Sequence, residues 1–197
     1  MSRVVDLGSA TERLPTQLVG DSNLVIAHLL VAYHTPYPIV SARTGRFFRR
    51  LRVDAADGLI TTTAWTEISH FVIRQVYRQL VPQHQDELSR ALPGKRRHDW
   101  RDLYKTRPDL MSVILPELRG LRRTMSLSNL VFLQPDDLGA IPAGLPIEVA
   151  LEETIGRYHL DSNDAAILLE ARRAGLTSIA TLDADLGRAA PDFDVYT

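Results

Sequence analysis

Short apolar runs that lead into an acidic residue and then into a helical pattern recur along this chain of 197 residues. Four acidic residues occupy such strand-to-helix junctions: Asp21, Glu67, Asp164 and Asp183. Alternating strands and helices predict βαβ units and a parallel sheet, and therefore an α/β fold. If the strands are parallel neighbours, the four acids meet at the carboxyl edge of one sheet, where open α/β folds place their sites.

Hydrophobic periodicity predicts five strands and the helices between them. The predicted strands span residues 18–20, 59–62, 129–133, 178–181 and 192–196. The predicted helices span residues 24–31, then from a cap at Thr63 through Leu80, then 148–158, then from a cap at Asp161 or Ser162 through Arg173, with Gly175 after the last.

The remaining segments carry weaker patterns. Residues 1–16 contain Ser, Thr, Pro and mixed charge, and we interpret them as an N-terminal extension or a loose lead-in. Residues 43–52 are expected to form a helix or a loop anchored by Phe47 and Phe48. Residues 81–128 hold two or three amphipathic helices, which predicts a helical insertion. The length fits a single domain over residues 1–197.

Composition limits the classes of protein that this chain can belong to. The absence of Cys excludes disulfides and thiolate metal sites, and it fits a reducing cytosol. No apolar run approaches the roughly 18 residues that cross a bilayer. The first residues also lack the apolar core of a secretory signal. We therefore expect a cytoplasmic protein without membrane contact.

The net charge of −1 conceals an asymmetric distribution. Residues 43–52 hold five Arg and no acid, whereas residues 148–194 hold ten acids and four Arg. Acidic groups beside basic surface suit an enzyme that cuts phosphodiesters, because the cations contact the backbone of the substrate. Arg runs are equally typical of solvated helix faces. The candidate RNA-binding residues are Arg43, Arg46, Arg49, Arg50, Arg52, Lys95, Arg96 and Arg97.

Each of the four acids also has a purely structural explanation. Asp21 and Asp183 could cap the helices that follow them. Asp164 falls in a first helical turn, where the helix dipole favours negative charge, and Glu67 could be an exposed helix residue. As a set, however, crowded carboxylates repel one another, and a divalent cation removes that repulsion. Oxygen ligands without Cys or paired His suit Mg²⁺ or Mn²⁺.

Three segments of the chain resemble the motifs of PIN-domain nucleases. LVGDSNLVIAHLL is similar to the first motif of that family, in which a strand ends in Asp-Thr/Ser-Asn before an apolar helix. TTTAWTEI resembles the second motif, and YHLDSNDAAILLEARRAGLTSIATLDADL resembles the third and fourth motifs joined. The resemblance covers residues 18–35, 59–80 and 129–197.

This resemblance implies a three-layer α/β/α sandwich around a parallel sheet and an Mg²⁺- or Mn²⁺-dependent endoribonuclease. The implied catalytic, metal-holding acids are Asp21, Glu67, Asp164 and Asp183, with Asp185 as an auxiliary ligand. Ser22, Asn23 and Thr181 would orient the carboxylates or a metal-bound water by hydrogen bonds. Bacterial members of the family are commonly VapC-type ribonuclease toxins, each inhibited by a small antitoxin protein.

Other hypotheses stay open. The 97 positions between Glu67 and Asp164 exceed what compact toxins need, which keeps a structure-specific DNA nuclease or an rRNA-processing nuclease of the same fold in consideration. A catalytically silent module that binds RNA or a partner is a different class, and the chain could act as a homodimer. A phosphatase or receiver domain would need a Lys after a late strand, and residues 178–185 contain none.

Overall fold

One six-stranded sheet organises the protein. The computed structural model describes residues 3–9, 12–31, 33 and 37–197, and every strand pairing within them is parallel. The strands are β1 (Val4–Val5), β2 (Gln17–Gly20), β3 (Asp57–Ile60), β4 (Leu130–Phe132), β5 (Ser178–Ala180) and β6 (Asp194–Tyr196). Their spatial order is β1-β6-β5-β2-β3-β4.

This order places a topological switch point between β2 and β5. From β2 the chain moves outward to β3 and β4, whereas from β5 it moves in the opposite direction to β6. Val19 and Gly20 of β2 are in register with Ile179 and Ala180 of β5. Crevices at the carboxyl ends of such diverging strands are where open α/β sheets bind ligands.

Helices cover both faces of the sheet, which gives the predicted three-layer α/β/α arrangement. They are α1 (Ser22–Leu29), α2 (Pro38–Val53), α3 (Thr62–Leu80), α4 (Gln85–Ala91), α5 (Trp100–Thr106), α6 (Met111–Leu127), α7 (Ile147–Tyr158) and α8 (Ser162–Arg173). The segment 81–128 is helical, as predicted, and α2 buries Phe47 and Phe48. The sequence also predicts that Pro36 and Pro38 stop the first helix; Pro36 lies outside the described residues, and Pro38 is the first residue of α2.

The start of α3 differs from the sequence-based prediction. Residues 61 and 62 were predicted to extend the strand and Thr63 to cap the helix, and both predictions are wrong. The strand ends at Ile60, and the Thr61 hydroxyl accepts the capping hydrogen bond from Ala64 N–H at 3.1 Å. The Glu170 carboxylate of α8 accepts N–H bonds from Thr62 and Thr63, so α3 begins earlier because a second helix supports its first turn.

The N-terminal segment is part of the sheet, so its interpretation as a loose lead-in is wrong. Val4 and Val5 pair with Val195 and Tyr196, and Leu7 is fully buried. Backbone bonds continue the attachment, because Thr197 N–H donates to Val5 O and Leu7 N–H donates to Thr197 O, both at 2.9 Å. A segment of only two strand residues gives little period-2 signal, which is why the sequence does not show it.

The ends of α8 follow the local signals in the sequence. Asp161 caps the helix by accepting N–H bonds from Asn163 and Asp164, and Gly175 follows it with a φ of 71° that residues other than Gly seldom adopt. Within the described part of the chain, no helix combines the length and apolar character that crossing a membrane requires.

The attachment of the N-terminal segment can be measured through Leu7. We expect Leu7→Ala to lower the free energy of unfolding by about 2–5 kcal/mol, because it empties a buried leucine position. The matched control is Val4→Ala on the same segment, where the side chain is 57 % exposed and the loss should stay below about 1 kcal/mol. Urea unfolding followed by circular dichroism measures both, and equal losses would contradict the burial of Leu7.

Candidate functional site

Asp21 is a buried carboxylate at the carboxyl end of β2. It is 2 % exposed and occupies the position before α1, yet its side chain makes no capping hydrogen bond to that helix. Its backbone N–H donates to Ala180 O at 2.9 Å, and its Oδ2 accepts from the Thr181 hydroxyl at 2.7 Å. Asp21 therefore joins the ends of β2 and β5 at the switch point, and helix capping does not explain it.

Thr181 is the hydrogen-bond centre between these two strands. Its Oγ1 accepts the Asp183 N–H at 2.8 Å and faces the Asn23 amide nitrogen at 3.4 Å. With two N–H donors directed at the oxygen, the single hydroxyl proton is left for Asp21. This arrangement stabilises the ionised form of Asp21, and it matches the orienting role predicted for Thr181.

Glu67 connects three helices. Its Oε2 accepts from the Ser22 hydroxyl of α1 at 2.7 Å, and its Oε1 accepts from the Asn163 amide of α8 at 2.7 Å. The Ser22 hydroxyl also lies 3.3 Å from Asp21 Oδ1, so one serine stands between two of the predicted acids. Glu67 is half-buried, and its bond to Ser22 places it beside Asp21 at the carboxyl ends of β2 and β5, the region that we call the crevice.

Asp164 and Asp183 complete the acidic group. Asp164 lies in the first turn of α8 and is half-buried, and no described residue donates a hydrogen bond to its carboxylate. Asp183 Oδ1 accepts the Asp185 N–H at 2.8 Å, but the N-cap position of the short helical turn Asp185–Ala189 is occupied by Ala184, so the prediction that Asp183 is the cap is wrong. The two acids differ because the cap of α8 is Asp161, which leaves Asp164 unused by the helix.

Two residues of the predicted site behave differently from the rest. Asp185 is exposed and forms an ion pair with Arg188 at 2.7 Å, so it does not face the acidic group as an auxiliary ligand would. Asn23 does not contact a carboxylate, because its Oδ1 accepts the Leu182 N–H at 2.9 Å. It holds the loop after β5 against α1 and so acts on the acids through Thr181.

Burial and mutual repulsion perturb the acids. Burial, and to a lesser degree the charge of Glu67, raises the pKa of Asp21 to about 6, although hydrogen bonds from Thr181 and Ser22 oppose the rise. Burial raises the pKa of Asp164 to about 7, and the charges of Asp21, Asp161, Asp183 and Glu67 add to it. All four predicted acids are therefore near enough to interact electrostatically.

The carboxylates are gathered but are not arranged as a ready-made cation site. Among the residues that the structure describes, no group of three or more His, Cys, Asp or Glu side chains is placed to hold a metal ion. Glu67 instead accepts hydrogen bonds from Ser22 and Asn163, and Asp183 accepts one from a backbone N–H. The donor chemistry nevertheless fits Mg²⁺ or Mn²⁺, because each carboxylate oxygen keeps a further lone pair for ligation.

Sequence analysis missed two residues of this region. Asn163 fixes Glu67, and its position beside Asp164 in the predicted third motif was an available signal. Glu170 accepts the Thr62 N–H at 2.8 Å and the Thr63 hydroxyl at 2.5 Å, which ties α3 to α8 beside the acids. The partners are 107 and 108 positions apart in the sequence, so no local pattern could indicate the contact.

Several of the predicted RNA-binding cations are engaged by the protein itself. Arg43 lies 3.8 Å from Asp6, and Arg50 contacts the Glu12 carbonyl and Asp54. Lys95 forms an ion pair with Asp102 at 2.6 Å. The side chain of Arg46 packs against Gly8. The exposed members of the set are Arg46, Arg49, Arg52, Lys95, Arg96 and Arg97.

No protein-family model and no curated protein matches this chain. The crevice must therefore be interpreted from its own residues: buried Asp21, half-buried Glu67, Asp164 and Asp183, and the hydroxyl and amide groups that orient them.

The raised pKa of Asp21 fixes the sign of a pH effect on stability. The folded chain holds the proton of Asp21 more tightly than the unfolded chain, so this group destabilises the fold progressively as pH rises from about 4 to above 6. The difference between 3.8 and about 6 corresponds to about 3 kcal/mol. We expect Asp21→Asn to remove this decline in metal-free buffer, as measured by urea unfolding across that pH range.

The control for this measurement is Asp185→Asn, which alters an exposed acid outside the crevice. The free energy of unfolding of Asp185→Asn should fall with rising pH as it does in the parent chain. Ionisation of Asp164 also lowers the free energy of unfolding as pH rises, up to about pH 7. We therefore expect Asp164→Asn to flatten the upper part of the plot of stability against pH. Identical profiles for the parent chain and Asp21→Asn would show that Asp21 is not desolvated.

Proposed function

We propose that this protein is a divalent-metal-dependent endoribonuclease with a PIN-like fold, which hydrolyses RNA phosphodiester bonds. The observation that carries the proposal is the convergence of Asp21, Glu67, Asp164 and Asp183 at the switch point, where burial and the charges of the other acids raise the pKa of Asp164 to about 7. Burying like charges together destabilises the fold, and a purely structural role would not compensate for that destabilisation.

The four acids would hold Mg²⁺ or Mn²⁺. When bound, the ion supplies Lewis acidity toward the phosphodiester and lowers the pKa of a coordinated water. The Thr181 hydroxyl donates a hydrogen bond to Asp21 Oδ2 over 2.7 Å, and this bond favours the ionised form of Asp21 that ligation requires. Ser22 and Asn163 hold both oxygens of Glu67 in place, so Glu67 does not have to reorient during the reaction.

Asp164 is the acid that responds most to the cation. With a pKa of about 7 it is about half protonated at neutral pH, and a cation would expel that proton. Its carboxylate has no hydrogen-bond donor among the described residues, so it can rotate toward the ion without breaking a contact. We propose that Asp164 would be one of the carboxylates that hold the ion.

The biological setting that we propose is a type II toxin–antitoxin pair, in which this chain is the toxin and a small partner protein inhibits it. The resemblance of the segments around Asp21, Glu67, Asp164 and Asp183 to VapC-type toxins supports this setting. A structure-specific DNA nuclease or an rRNA-processing nuclease would use the same acids. Cleavage of tRNA, rRNA fragments and flap DNA by the same preparation distinguishes these substrates, and the neighbouring open reading frame tests for an antitoxin.

A catalytically silent RNA- or partner-binding module is the second candidate. It is favoured by one observation: Asp21, Glu67 and Asp183 each accept a hydrogen bond from the protein without any cation. In such a module the acidic group would only join α1, α3 and α8. The charge on Asp164 counts against it, because no described donor compensates that carboxylate.

The nuclease proposal is tested with Asp21→Asn and Asp164→Asn. We expect each to lower Mg²⁺- or Mn²⁺-dependent cleavage of a labelled single-stranded RNA by about two to three orders of magnitude, the scale of losing a group that stabilises transition-state charge. Asp185→Asn is the control and should keep most of the activity. Chelation should abolish cleavage by the parent chain. Activity that persists in both variants would disprove the assignment, as would a parent chain that never cleaves nucleic acid with either metal.

Asn163 gives a finer test, because it acts only through Glu67. We expect Asn163→Ala to lower kcat/KM for RNA and the affinity for Mn²⁺ by about 10–100-fold, as for groups that orient metal ligands. The neighbouring Ser162→Ala is the control, since Ser162 is exposed and does not contact the acids. Calorimetric titration of Mn²⁺ gives a readout independent of activity. Equal affinities in the two variants would remove Asn163 from the site.

A further inference from the structure

A second polar cleft lies between α3 and the start of α5. It encloses about 340 Å³, and it is lined by Arg74, Arg78, His98, Asp99, Trp100 and Arg101. Three arginines thus face one acid, and that acid is already engaged, because Asp99 Oδ1 accepts the N–H groups of Arg101 and Asp102. Within the described residues none of the three arginines forms an ion pair. The cleft therefore has uncompensated positive charge.

Two buried nitrogen atoms in this cleft lack a partner. Arg74 Nε and His98 Nδ1 are inaccessible to water, and no described residue hydrogen-bonds to either of them. An unsatisfied buried polar group costs about 1–3 kcal/mol, so folded proteins keep few of them. The protein itself therefore leaves the guanidinium of Arg74 only partly hydrogen-bonded in a cleft that already holds two other arginines.

Helix α3 relates this cleft to the acidic crevice. Arg74 and Arg78 follow Glu67 by 7 and 11 residues, and at 100° per residue both lie within about 20° of it on the same face of the helix. At a rise of ~1.5 Å per residue they lie roughly 10 and 16 Å along the axis from Glu67. A polymer that reaches the acids along this face would pass the cleft.

The cleft walls fit a phosphate group. Arg101 lies over the ring of Trp100, with its guanidinium carbon 5.3 Å from the ring centroid, and Trp100 also packs on His70. These contacts fix the direction of the Arg101 fork, which suits bidentate binding of phosphate oxygens. The exposed residues Arg96 and Arg97 directly precede His98 and extend the basic surface.

We propose that this cleft binds a backbone phosphate of single-stranded RNA, a short distance along the strand from the bond that is cleaved. The proposal rests on the proposed function, since it assigns the cleft to the same substrate. Arg74, Arg78 and Arg101 contact the phosphate, and Trp100 and His98 shape the cleft around it. The cleft thereby sets which part of a longer RNA strand lies over the acids.

The test uses two exposed arginines of the cleft, in the variant Arg78→Gln/Arg101→Gln. The matched control is Arg119→Gln/Arg123→Gln on α6, which removes the same charge from two exposed positions outside the cleft. Binding of a labelled single-stranded RNA is measured with chelator present, so that no cleavage occurs, over a series of salt concentrations. The slope of log affinity against log salt should fall by about 0.7 for the cleft variant, the value for one phosphate contact on a single strand, and stay unchanged for the control.

Kinetics give the second readout. With Mg²⁺ or Mn²⁺ present, the cleft variant should raise KM for a long oligonucleotide while kcat is retained, and it should leave cleavage of a dinucleotide unchanged. Arg74→Gln should act in the same direction, and circular dichroism checks that each variant is folded. Equal salt slopes and KM values for the cleft variant and the control would overturn the inference and leave the proposed function standing. Loss of RNA binding in the cleft variant alone, with a parent chain that binds but never cleaves, would support the inference and defeat the nuclease.

Discussion

Repulsion between carboxylates at one edge of the sheet is the constraint around which this protein is arranged. Asp21 is nearly inaccessible to water, and the charges of Glu67, Asp164 and Asp183 act on it or on one another across the crevice. Such a group is unfavourable unless something holds it together. Here the surrounding hydroxyl and amide groups supply part of the compensation, because they donate hydrogen bonds to Asp21 and Glu67.

The fold supplies the hydrogen bonds from distant parts of the chain. Thr181 follows β5, Ser22 opens α1 and Asn163 lies in the first turn of α8, yet all three act on Asp21 or Glu67. The parallel register of β2 and β5 is what brings them together, because it aligns Gly20 with Ala180 and so places the next residue of each strand side by side. The sheet therefore sets the orientation of the acids, because it aligns the residues that hydrogen-bond to them.

The sequence predicts the architecture well because its signals are local. Runs such as Leu18–Gly20 and Ser178–Ala180 are apolar and end at a polar residue, and Gly175 has the conformation that its position after a helix indicates. The sequence also predicts that Ser22 and Thr181 lie beside the acids, because both residues belong to the motifs that contain the acids. Asp185 follows Asp183 by only two residues, and the chain turns between them. The sequence pattern therefore did not show that the two acids lie in different surroundings.

What the sequence does not predict depends on contacts across the fold. The strand at residues 4–5 exists because β6 offers it an edge, not because its own pattern is strong. The start of α3 moved for a similar reason, since Glu170 satisfies N–H groups that a strand would have directed to a neighbour. The cleft of Arg74 and Arg101 is formed by two helices whose relative placement no local spacing encodes.

Glu170 has one more consequence. Its carboxylate accepts hydrogen bonds from Thr62 and Thr63 at the N-terminus of α3, where the helix dipole favours a negative charge. It fastens the two helices that carry Glu67 and Asp164, independently of any ion. The spacing of the helices that carry Glu67 and Asp164 is therefore set by a clamp that is separate from the acidic group itself.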